Sequence, residues 1–210
     1  MTARPFQSAA VLLAAGLSRR MGERNKLLIE IQGEPLVRRT AKTYVEAGVD
    51  VHVVLGHEAD RVREALQDLT LSFVENPRYA EGQPASVRAG IASLKGGYDA
   101  ILIALADQAA LTTEDITALI RAFADRGRDR ILIPYYSGSR GNPVLFPAGL
   151  IADLQAQGRN AACRNFIDNN PQLTTRYDAS NDHFVTDIDT PDDLAAFEKG
   201  LRPDSSGHGR

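Results

Sequence analysis

Short apolar runs separated by amphipathic segments constrain the fold of this chain more than any other feature. Residues 9–14 and 100–105 are continuously apolar, as expected for strands that are buried on both faces of a sheet. Between such runs, apolar residues recur at helical spacing. This alternation predicts βαβ units. We therefore expect an α/β fold with three layers, α/β/α, around a Rossmann-like, mostly parallel sheet of about seven strands.

The predicted elements can be placed along the chain. We expect strands at residues 9–14, 51–55, 71–74, 100–105, 131–134, 144–146 and 184–188, and helices at about 35–48, 57–69, 84–94, 112–125 and from 191 onwards. Pro35 suits the start of the first helix and Gly48 its end. In such sheets ligands bind at the carboxyl ends of the strands, so the loops that follow the strands are the places to look for chemistry.

Length and composition limit the classes of protein that fit. The chain has 210 residues, 43% of them hydrophobic, so we predict one domain over residues 1–200 and a disordered tail at 201–210. The net charge of −3 gives no reason to expect nucleic acid as a partner. No apolar run approaches the roughly 20 residues that cross a bilayer, so no membrane partner is expected either.

Cysteine usage and the N-terminus indicate the compartment. Cys163 is the single cysteine, which excludes an internal disulfide and fits a reducing compartment. No histidine-rich context accompanies this thiol, so we interpret it as buried and not as a nucleophile. The first eight residues lack the pattern of a signal peptide. We therefore expect a cytoplasmic protein.

A loop of small and basic residues follows the first predicted strand. Residues 13–22 read Leu-Ala-Ala-Gly-Leu-Ser-Arg-Arg-Met-Gly, and Lys26 lies four residues beyond. Small residues let the backbone approach a ligand closely, with its N–H groups pointing at phosphate oxygens. Arg19, Arg20 and Lys26 supply the positive charge that a triphosphate needs. The loop is neither a Walker loop nor a dinucleotide fingerprint, and a surface turn with solvated arginines is the alternative.

Aspartates follow two of the predicted strands. Asp107 comes after the buried run 100–105, at the edge of the sheet where a ligand is expected. Asp187 and Asp189 are two residues apart and would point to one face of an extended segment. Two carboxylates on one face are costly unless a cation or a helix N-terminus offsets their charge. Helix capping is the alternative role for Asp107 and Asp189.

The loop at 13–22, taken with Lys26, resembles the signature loop of the MobA-like NTP transferases, which make molybdopterin dinucleotides. The resemblance covers nearly the whole chain and implies a Mg²⁺-dependent nucleotidyltransferase with the fold of the nucleotide-diphospho-sugar transferases. Guanylyltransferases of this group typically show Ala-Gly-Gly where cytidylyltransferases show Ala-Ala-Gly, and this chain has Ala14-Ala15-Gly16. The extra methyl at residue 15 narrows the space beside the base, so CTP is the expected nucleotide.

The resemblance also implies a role for each candidate site residue. The residues expected to bind the nucleotide are Ala14, Ala15, Gly16, Arg20, Lys26, Gly56, Gly82 and Ser86. Those expected to be catalytic are Arg20, Lys26 and Asp107. The Mg²⁺ ligands are expected to be Asp107 with Asp187 or Asp189, and the sequence does not decide between the last two. Asn142 and Pro143 are expected to contact the acceptor.

The acceptor and the reaction remain open in part. In-line attack of an acceptor phosphate on the α-phosphorus would release pyrophosphate, and an ionised phosphate needs no general base. The expected acceptor is a molybdopterin-like phosphate, and the resemblance allows a molybdoenzyme client. Ala109 and Asn142 depart from the Asp-x-Pro and Gly-His-Pro patterns of the group. A GTP-using member, a sugar- or isoprenoid-phosphate acceptor and a non-catalytic molybdopterin-binding factor are alternatives, and a nicotine-blue-type reductase has less support because no nicotinamide motif is present.

Overall fold

Ten strands and seven helices make up the described part of the chain, residues 4–18, 21, 24–126, 128–157 and 163–201 of the computed structural model. The strands are β1 (Ser8–Ala14), β2 (Glu30–Ile31), β3 (Glu34–Pro35), β4 (Asp50–Leu55), β5 (Ser72–Glu75), β6 (Ala100–Leu105), β7 (Ile131–Tyr136), β8 (Ser139–Arg140), β9 (Val144–Pro147) and β10 (Thr174–Asp178). The helices are α1 (Leu36–Glu46), α2 (Ala59–Ala65), α3 (Gln83–Ser93), α4 (Thr113–Asp125), α5 (Ile151–Ala156), α6 (Cys163–Asn169) and α7 (Pro191–Leu201).

Eight of these strands form one sheet. Its order is β10-β7-β9-β6-β1-β4-β5, with β8 paired to β7 outside that path. β1 lies between β4 and β6 and is parallel to both, and β5 is parallel to β4. β9 is antiparallel to β6 and β7, whereas β10 is parallel to β7. The predicted α/β class with a mostly parallel sheet is confirmed.

Helices cover both faces of the sheet. Alternate residues of β1 belong to different apolar clusters, because successive side chains of a strand point to opposite faces. Leu12 packs in the cluster that contains the buried residues of α1, α2 and α4. Val11 packs in the other cluster, with residues of α3, α5 and α6. β1 is apolar from Ala9 to Ala14, which matches its burial on both sides.

Gly90 lets α3 approach the sheet closely. A Cβ atom at this position would lie 2.2 Å from Cγ1 of Val11 and 2.9 Å from Cγ2 of Val54. Any larger residue would push α3 away from β1 and β4. The start of α3 is thereby held near the carboxyl ends of these two strands, where the ligand was expected.

The prediction of a last strand at residues 184–188 is wrong. Residues 184–188 do not join the sheet, because a 3-10 turn covers His183–Val185 and irregular backbone follows. The Phe184 carbonyl instead accepts hydrogen bonds from Gln108 Nε2 at 2.9 Å and from the Asn142 N–H at 2.9 Å. The strand on that side of the sheet is β10, which was not predicted.

Other differences lie in the helices. α2 ends at Ala65, although a helix to residue 69 was predicted, and α5 and α6 were not predicted. α7 reaches Leu201, the first residue of the predicted disordered tail, and the rest of that tail lies outside the described residues. Within the described ranges, no helix combines the length and the apolar character that crossing a membrane requires.

Candidate active site

A cavity of about 560 Å³ opens at the carboxyl ends of β1, β4 and β6. The loop after β1, the turn at Lys26, the start of α3, the end of β6 and the segment before α7 all contribute to its walls. The lining residues are Leu13, Ala15, Gly16, Leu17, Ser18, Lys26, Leu27, Tyr79, Ala80, Gly82, Gln83, Ser86, Leu105, Asp107, Asp187 and Asp189. Loops that are far apart in sequence therefore meet in one cavity, as predicted for this edge of the sheet.

Lys26 is held in place by a 3-10 turn at Lys26–Leu28. The Asn25 side chain caps this turn by accepting a hydrogen bond from the Leu27 N–H, and the Lys26 N–H donates to Ser18 Oγ at 3.2 Å. The Lys26 side chain is only 13% exposed. The turn therefore aims a largely buried cation into the cavity.

The Lys26 ammonium lies between two carboxylates. Nζ donates to Asp107 Oδ2 at 2.5 Å and to Asp189 Oδ1 at 2.6 Å. Burial by itself would lower the pKa of Lys26, but the charges and hydrogen bonds of Asp107 and Asp189 outweigh it and raise the pKa above the ordinary value. Lys26 is therefore a fixed positive charge at neutral pH.

Asp107 stands where β6 ends, as predicted. Its carbonyl accepts a hydrogen bond from the Ile188 N–H at 3.0 Å, which brings the segment before α7 alongside. Its neighbour Gln108 holds that segment a second time, through the Phe184 carbonyl. Oδ1 of Asp107 is buried and has no hydrogen-bond partner among the described residues. One oxygen of this carboxylate thus remains available for a ligand.

Asp187 and Asp189 both line the cavity, although the segment that carries them is not a strand. Asp193 holds this segment by accepting hydrogen bonds from the N–H groups of Asp189, at 3.1 Å, and Thr190, at 2.7 Å. The pKa of Asp187 is raised, first by burial and then by the negative charges of Asp107 and Asp189. The three carboxylates are therefore close enough to interact electrostatically.

The carboxylates of this cavity bear on whether a divalent cation fits here. In the described ranges, no three His, Cys, Asp or Glu side chains are arranged so that they could hold a metal ion. The Lys26 ammonium occupies the position between Asp107 and Asp189. Carboxylate oxygens are nevertheless the ligands that Mg²⁺ prefers, and Asp107 Oδ1 lacks a partner. The donor atoms thus suit a divalent cation chemically, whereas their arrangement in this structure holds the Lys26 ammonium instead.

The part of the cavity near α3 carries no charged side chain among its described residues. Tyr79, Gly82, Gln83 and Ser86 line it. Asn76 organises this region, although it does not itself line the cavity. Its Nδ2 donates to Ser86 Oγ at 3.1 Å, and its backbone N–H donates to the Leu55 carbonyl at 3.0 Å. A neutral pocket with a hydroxyl and an amide suits an uncharged heterocycle and a sugar.

Other predicted residues lie elsewhere. Ala14 is buried in the core, and Gly56 lies beneath Tyr79 and Ala15 without lining the cavity. Asn142 and Pro143 do not line it either.

The backbone N–H of Asn142 donates a hydrogen bond to the Phe184 carbonyl, and a cis peptide joins Asn142 to Pro143.

Arg20 lies outside the described residues, so its predicted role stays a prediction. Cys163 is a free cysteine, and burial raises the pKa of its thiol to about 12, which fits the interpretation that it is not a nucleophile.

Asn76 and Tyr79 had no predicted role of their own. Both lie in the segment Asn76-Pro77-Arg78-Tyr79, shortly before Gly82 and Ser86, which were expected to bind the nucleotide. An aromatic residue shortly before the start of α3 was the available signal. Its importance is visible only from its packing on Gly56.

Comparisons with known proteins agree with this geometry. The chain superposes on a nucleotidyl transferase from Methanothermobacter thermautotroptrophicus with a TM-score of 0.76 and 24% identity, over 93% of this chain and 97% of that one. It superposes on Rv0371c of Mycobacterium tuberculosis H37Rv in complex with manganese with a TM-score of 0.68 and 22% identity, over 92% and 98%. These superpositions show that the chain has the fold of a nucleotidyl transferase.

Sequence comparison gives the family. The MobA-like NTP transferase domain matches residues 10–177, and the chain belongs to that family. It is 31% identical to nicotine blue oxidoreductase of Paenarthrobacter nicotinovorans over 193 residues, covering 88% of this chain and 93% of the relative. It is 23% identical to molybdenum cofactor cytidylyltransferase of Escherichia coli K12 over 185 residues, covering 88% and 92%.

Proposed function

We propose that this protein transfers a cytidylyl group from CTP to the phosphate of a molybdopterin-like acceptor, releasing pyrophosphate. One observation carries the proposal: a carboxylate–ammonium cluster adjoins a neutral pocket in a single cavity. The cluster suits the phosphates and a cation, and the neutral pocket suits the base and ribose. The similarity to molybdenum cofactor cytidylyltransferase supports CTP and the acceptor.

Each residue of the cluster has a task in this reaction. Lys26 supplies positive charge to the triphosphate, and the backbone of Gly16 and Leu17 approaches the phosphates closely because the loop is built of small residues. Asp107, with Asp187 or Asp189, would hold Mg²⁺. When bound, this cation would supply Lewis-acid stabilisation of charge on the phosphate oxygens. The named complex of Rv0371c with manganese supports a divalent cation in this fold.

The chain has no need of a general base in this mechanism. A phosphate monoester is already ionised at neutral pH, so its oxygen can attack the α-phosphorus directly. No histidine lines the cavity among the described residues, which accords with a reaction driven by positioning and charge. Asn142 and Pro143, which immediately precede β9, would contact the acceptor. We place the reaction in the cytoplasm and allow a molybdoenzyme as the client that receives the product.

The test is an assay of pyrophosphate release. The purified full chain is incubated with Mg²⁺, each of the four NTPs and, in separate reactions, molybdopterin, a sugar 1-phosphate or an isoprenoid-type phosphate. Release of pyrophosphate with CTP and molybdopterin is the expected result. Release only with another nucleotide or another acceptor would replace the substrates while keeping the reaction class. Nucleotide binding without release in any reaction would overturn the transferase assignment in favour of a binding factor.

A second candidate function is a reductase. The 31% identity to nicotine blue oxidoreductase over most of both chains favours it. The loop after β1 lacks the G-x-G-x-x-G spacing of a dinucleotide fingerprint, so we rank it second. The same protein is mixed with NADH or NADPH and nicotine blue, and absorbance at the nicotinamide band is followed. Consumption of the reduced nicotinamide, without pyrophosphate release from any NTP, would replace the proposed function with this one.

A further inference from the structure

We propose that Tyr79 is a specificity-determining residue, and that its ring limits the base subsite to a single-ring pyrimidine. This inference rests on the proposed function and deepens it, because it names the residue that chooses the base. Tyr79 lines the cavity from a 3-10 turn at Tyr79–Glu81, just before α3. The inference follows from where the charges lie, how the ring is seated and how its turn is held.

The charges of the cavity decide which end receives the base. The charged lining residues among those described are Lys26, Asp107, Asp187 and Asp189, and they form one cluster at the end of β6. Tyr79 lies instead against the residue that follows β4. β1 separates β6 from β4, so the two strand ends are about 10 Å apart at the usual spacing between strands. A nucleotide with its phosphates at the cluster therefore extends its base towards Tyr79.

The ring cannot withdraw into the protein. A Cβ atom on Gly56 would lie 2.6 Å from Tyr79 Cβ, 2.7 Å from Tyr79 Cγ and 2.8 Å from the methyl carbon of Ala15. Tyr79, Ala15 and the backbone of Gly56 are therefore packed against one another with no space between them. His57 lies nearby, with its ring centroid 6.4 Å from that of Tyr79.

This packing changes how the methyl group of Ala15 would act. Ala15 is only 4% exposed, so most of its methyl surface is covered by neighbours and not offered to a ligand. The direct narrowing of the pocket that its side chain was expected to cause is therefore small. The methyl and the Tyr79 side chain both pack beside the Gly56 backbone, so the methyl instead bounds the space in which Tyr79 is seated. Residue 15 would then influence the choice of base through its effect on the position of Tyr79.

The turn that carries Tyr79 is also held from the backbone side. The Tyr79 N–H donates to the Asn76 carbonyl at 3.2 Å, and the Arg78 N–H donates to Asn76 Oδ1 at 3.0 Å. Asn76 is itself buried, and its side chain donates a hydrogen bond to Ser86, which also lines the neutral pocket. One side chain thus sets the position of Tyr79 relative to Ser86. A pocket of set width, bounded by an aromatic ring, accepts a pyrimidine and excludes the second ring of a purine.

The experiment measures binding, so it needs no acceptor. Dissociation constants for CTP and GTP with Mg²⁺ are determined by isothermal titration calorimetry for the full-length wild type, Tyr79→Phe, Tyr79→Leu and Tyr79→Ala. Tyr98→Ala is the matched control, because Tyr98 precedes β6 at the opposite edge of the sheet and lines a different cavity. Leu keeps apolar volume over Gly56, so it serves if the Ala variant does not fold.

The ratio of the GTP to the CTP dissociation constant is the decisive quantity. We expect the wild type to favour CTP and the ratio to fall by about tenfold or more in Tyr79→Ala or Tyr79→Leu, the least that a fit of this size controls. Tyr79→Phe and Tyr98→Ala should keep the wild-type ratio. A smaller fall, an equal fall in either control, or a wild type that favours GTP would overturn the inference while leaving nucleotidyl transfer intact. If the wild type binds no NTP, the proposed function fails and this inference fails with it.

Discussion

The replacement Lys26→Met tests whether the lysine ammonium holds the carboxylate cluster together. Methionine keeps most of the length and volume of the side chain but removes the charge and both hydrogen bonds, to Asp107 and to Asp189. Three interacting carboxylates would then face one cavity without their cation. We expect the variant to fold, to be less stable than the wild type when no divalent metal is present, and to have a lower kcat/KM for the NTP.

The magnitude follows from the burial of the groups. The side chains of Lys26, Asp107 and Asp189 are 13%, 16% and 21% exposed, so solvent screens their interaction only in part. Hydrogen bonds to charged groups are each worth about 1.5–3 kcal/mol. Loss of the burial penalty of Lys26 offsets one of the two bonds, so the net cost is about 1.5–3 kcal/mol. For a chain of this length that corresponds to a fall in Tm of about 3–12 °C.

Thermal unfolding of both proteins in EDTA and in saturating Mg²⁺ provides the assay. Mg²⁺ should raise the Tm of Lys26→Met more than that of the wild type, because the metal then replaces the missing charge without competing with an ammonium. Lys42→Met is the control, since Lys42 lies 3.9 Å from Glu46 in a half-exposed pair worth about 0.3–0.5 kcal/mol. Equal Tm values for wild type and Lys26→Met in EDTA, or a larger Mg²⁺ effect on the wild type, would refute the reasoning.

Three further outcomes are expected. Asp107→Asn should abolish Mg²⁺-dependent pyrophosphate release with an unchanged circular dichroism spectrum, and full activity would contradict its role as a metal ligand. Ala15→Gly should lower the CTP/GTP ratio of kcat/KM by up to about tenfold, because the space beside Gly56 in which Tyr79 is seated becomes wider, whereas an unchanged ratio would argue against this role of the methyl. Burial acts to raise the pKa of Asp115, but hydrogen bonds from Asn181, His183 and Thr112 outweigh burial and lower this pKa. Asp115→Asn should therefore cost about 1–2 kcal/mol at pH 7. Urea unfolding should show this difference disappearing as the pH falls below the ordinary carboxyl value of 3.8, and a difference that persists there would be contrary evidence.

The parts of the fold that were predicted correctly are those with a local signature. β1 from Ala9 onwards and the whole of β6 are apolar without interruption, as strands buried on both faces require. Among the described strands, β10 pairs only with β7, and its sequence, Thr-Thr-Arg-Tyr-Asp, is largely polar. No apolar run therefore indicated this strand in the sequence. The segment at 184–188, Phe-Val-Thr-Asp-Ile, is rich in the aromatic and β-branched residues that are typical of strands. Its backbone is instead held by Gln108 and Asn142, two contacts that no local pattern could reveal.

The candidate site also contains residues that a local sequence signal predicts and residues that no such signal predicts. Asp107 could be predicted because it ends a buried strand, and Lys26 because it follows a loop of small residues. The contact of Lys26 with Asp189 spans 163 positions in the sequence, and its geometry could not be anticipated. Tyr79 shows the remaining difficulty. Its position depends on the absence of a side chain at Gly56, and such packing leaves no periodic trace in the sequence.

The hydrogen bonds at the Phe184 carbonyl have a consequence for how this family could diversify. This single oxygen joins the segment after β6, the segment before β9 and the segment that carries Asp187. At Asn142 the bond comes from the backbone N–H, so almost any residue at position 142 could supply it. Substitutions at position 142 can therefore present different side chains to an acceptor without moving the aspartates. Gln108 has no such freedom, because its side chain makes the bond. As acceptor specificity evolves, position 142 should thus tolerate many residues, whereas position 108 should not.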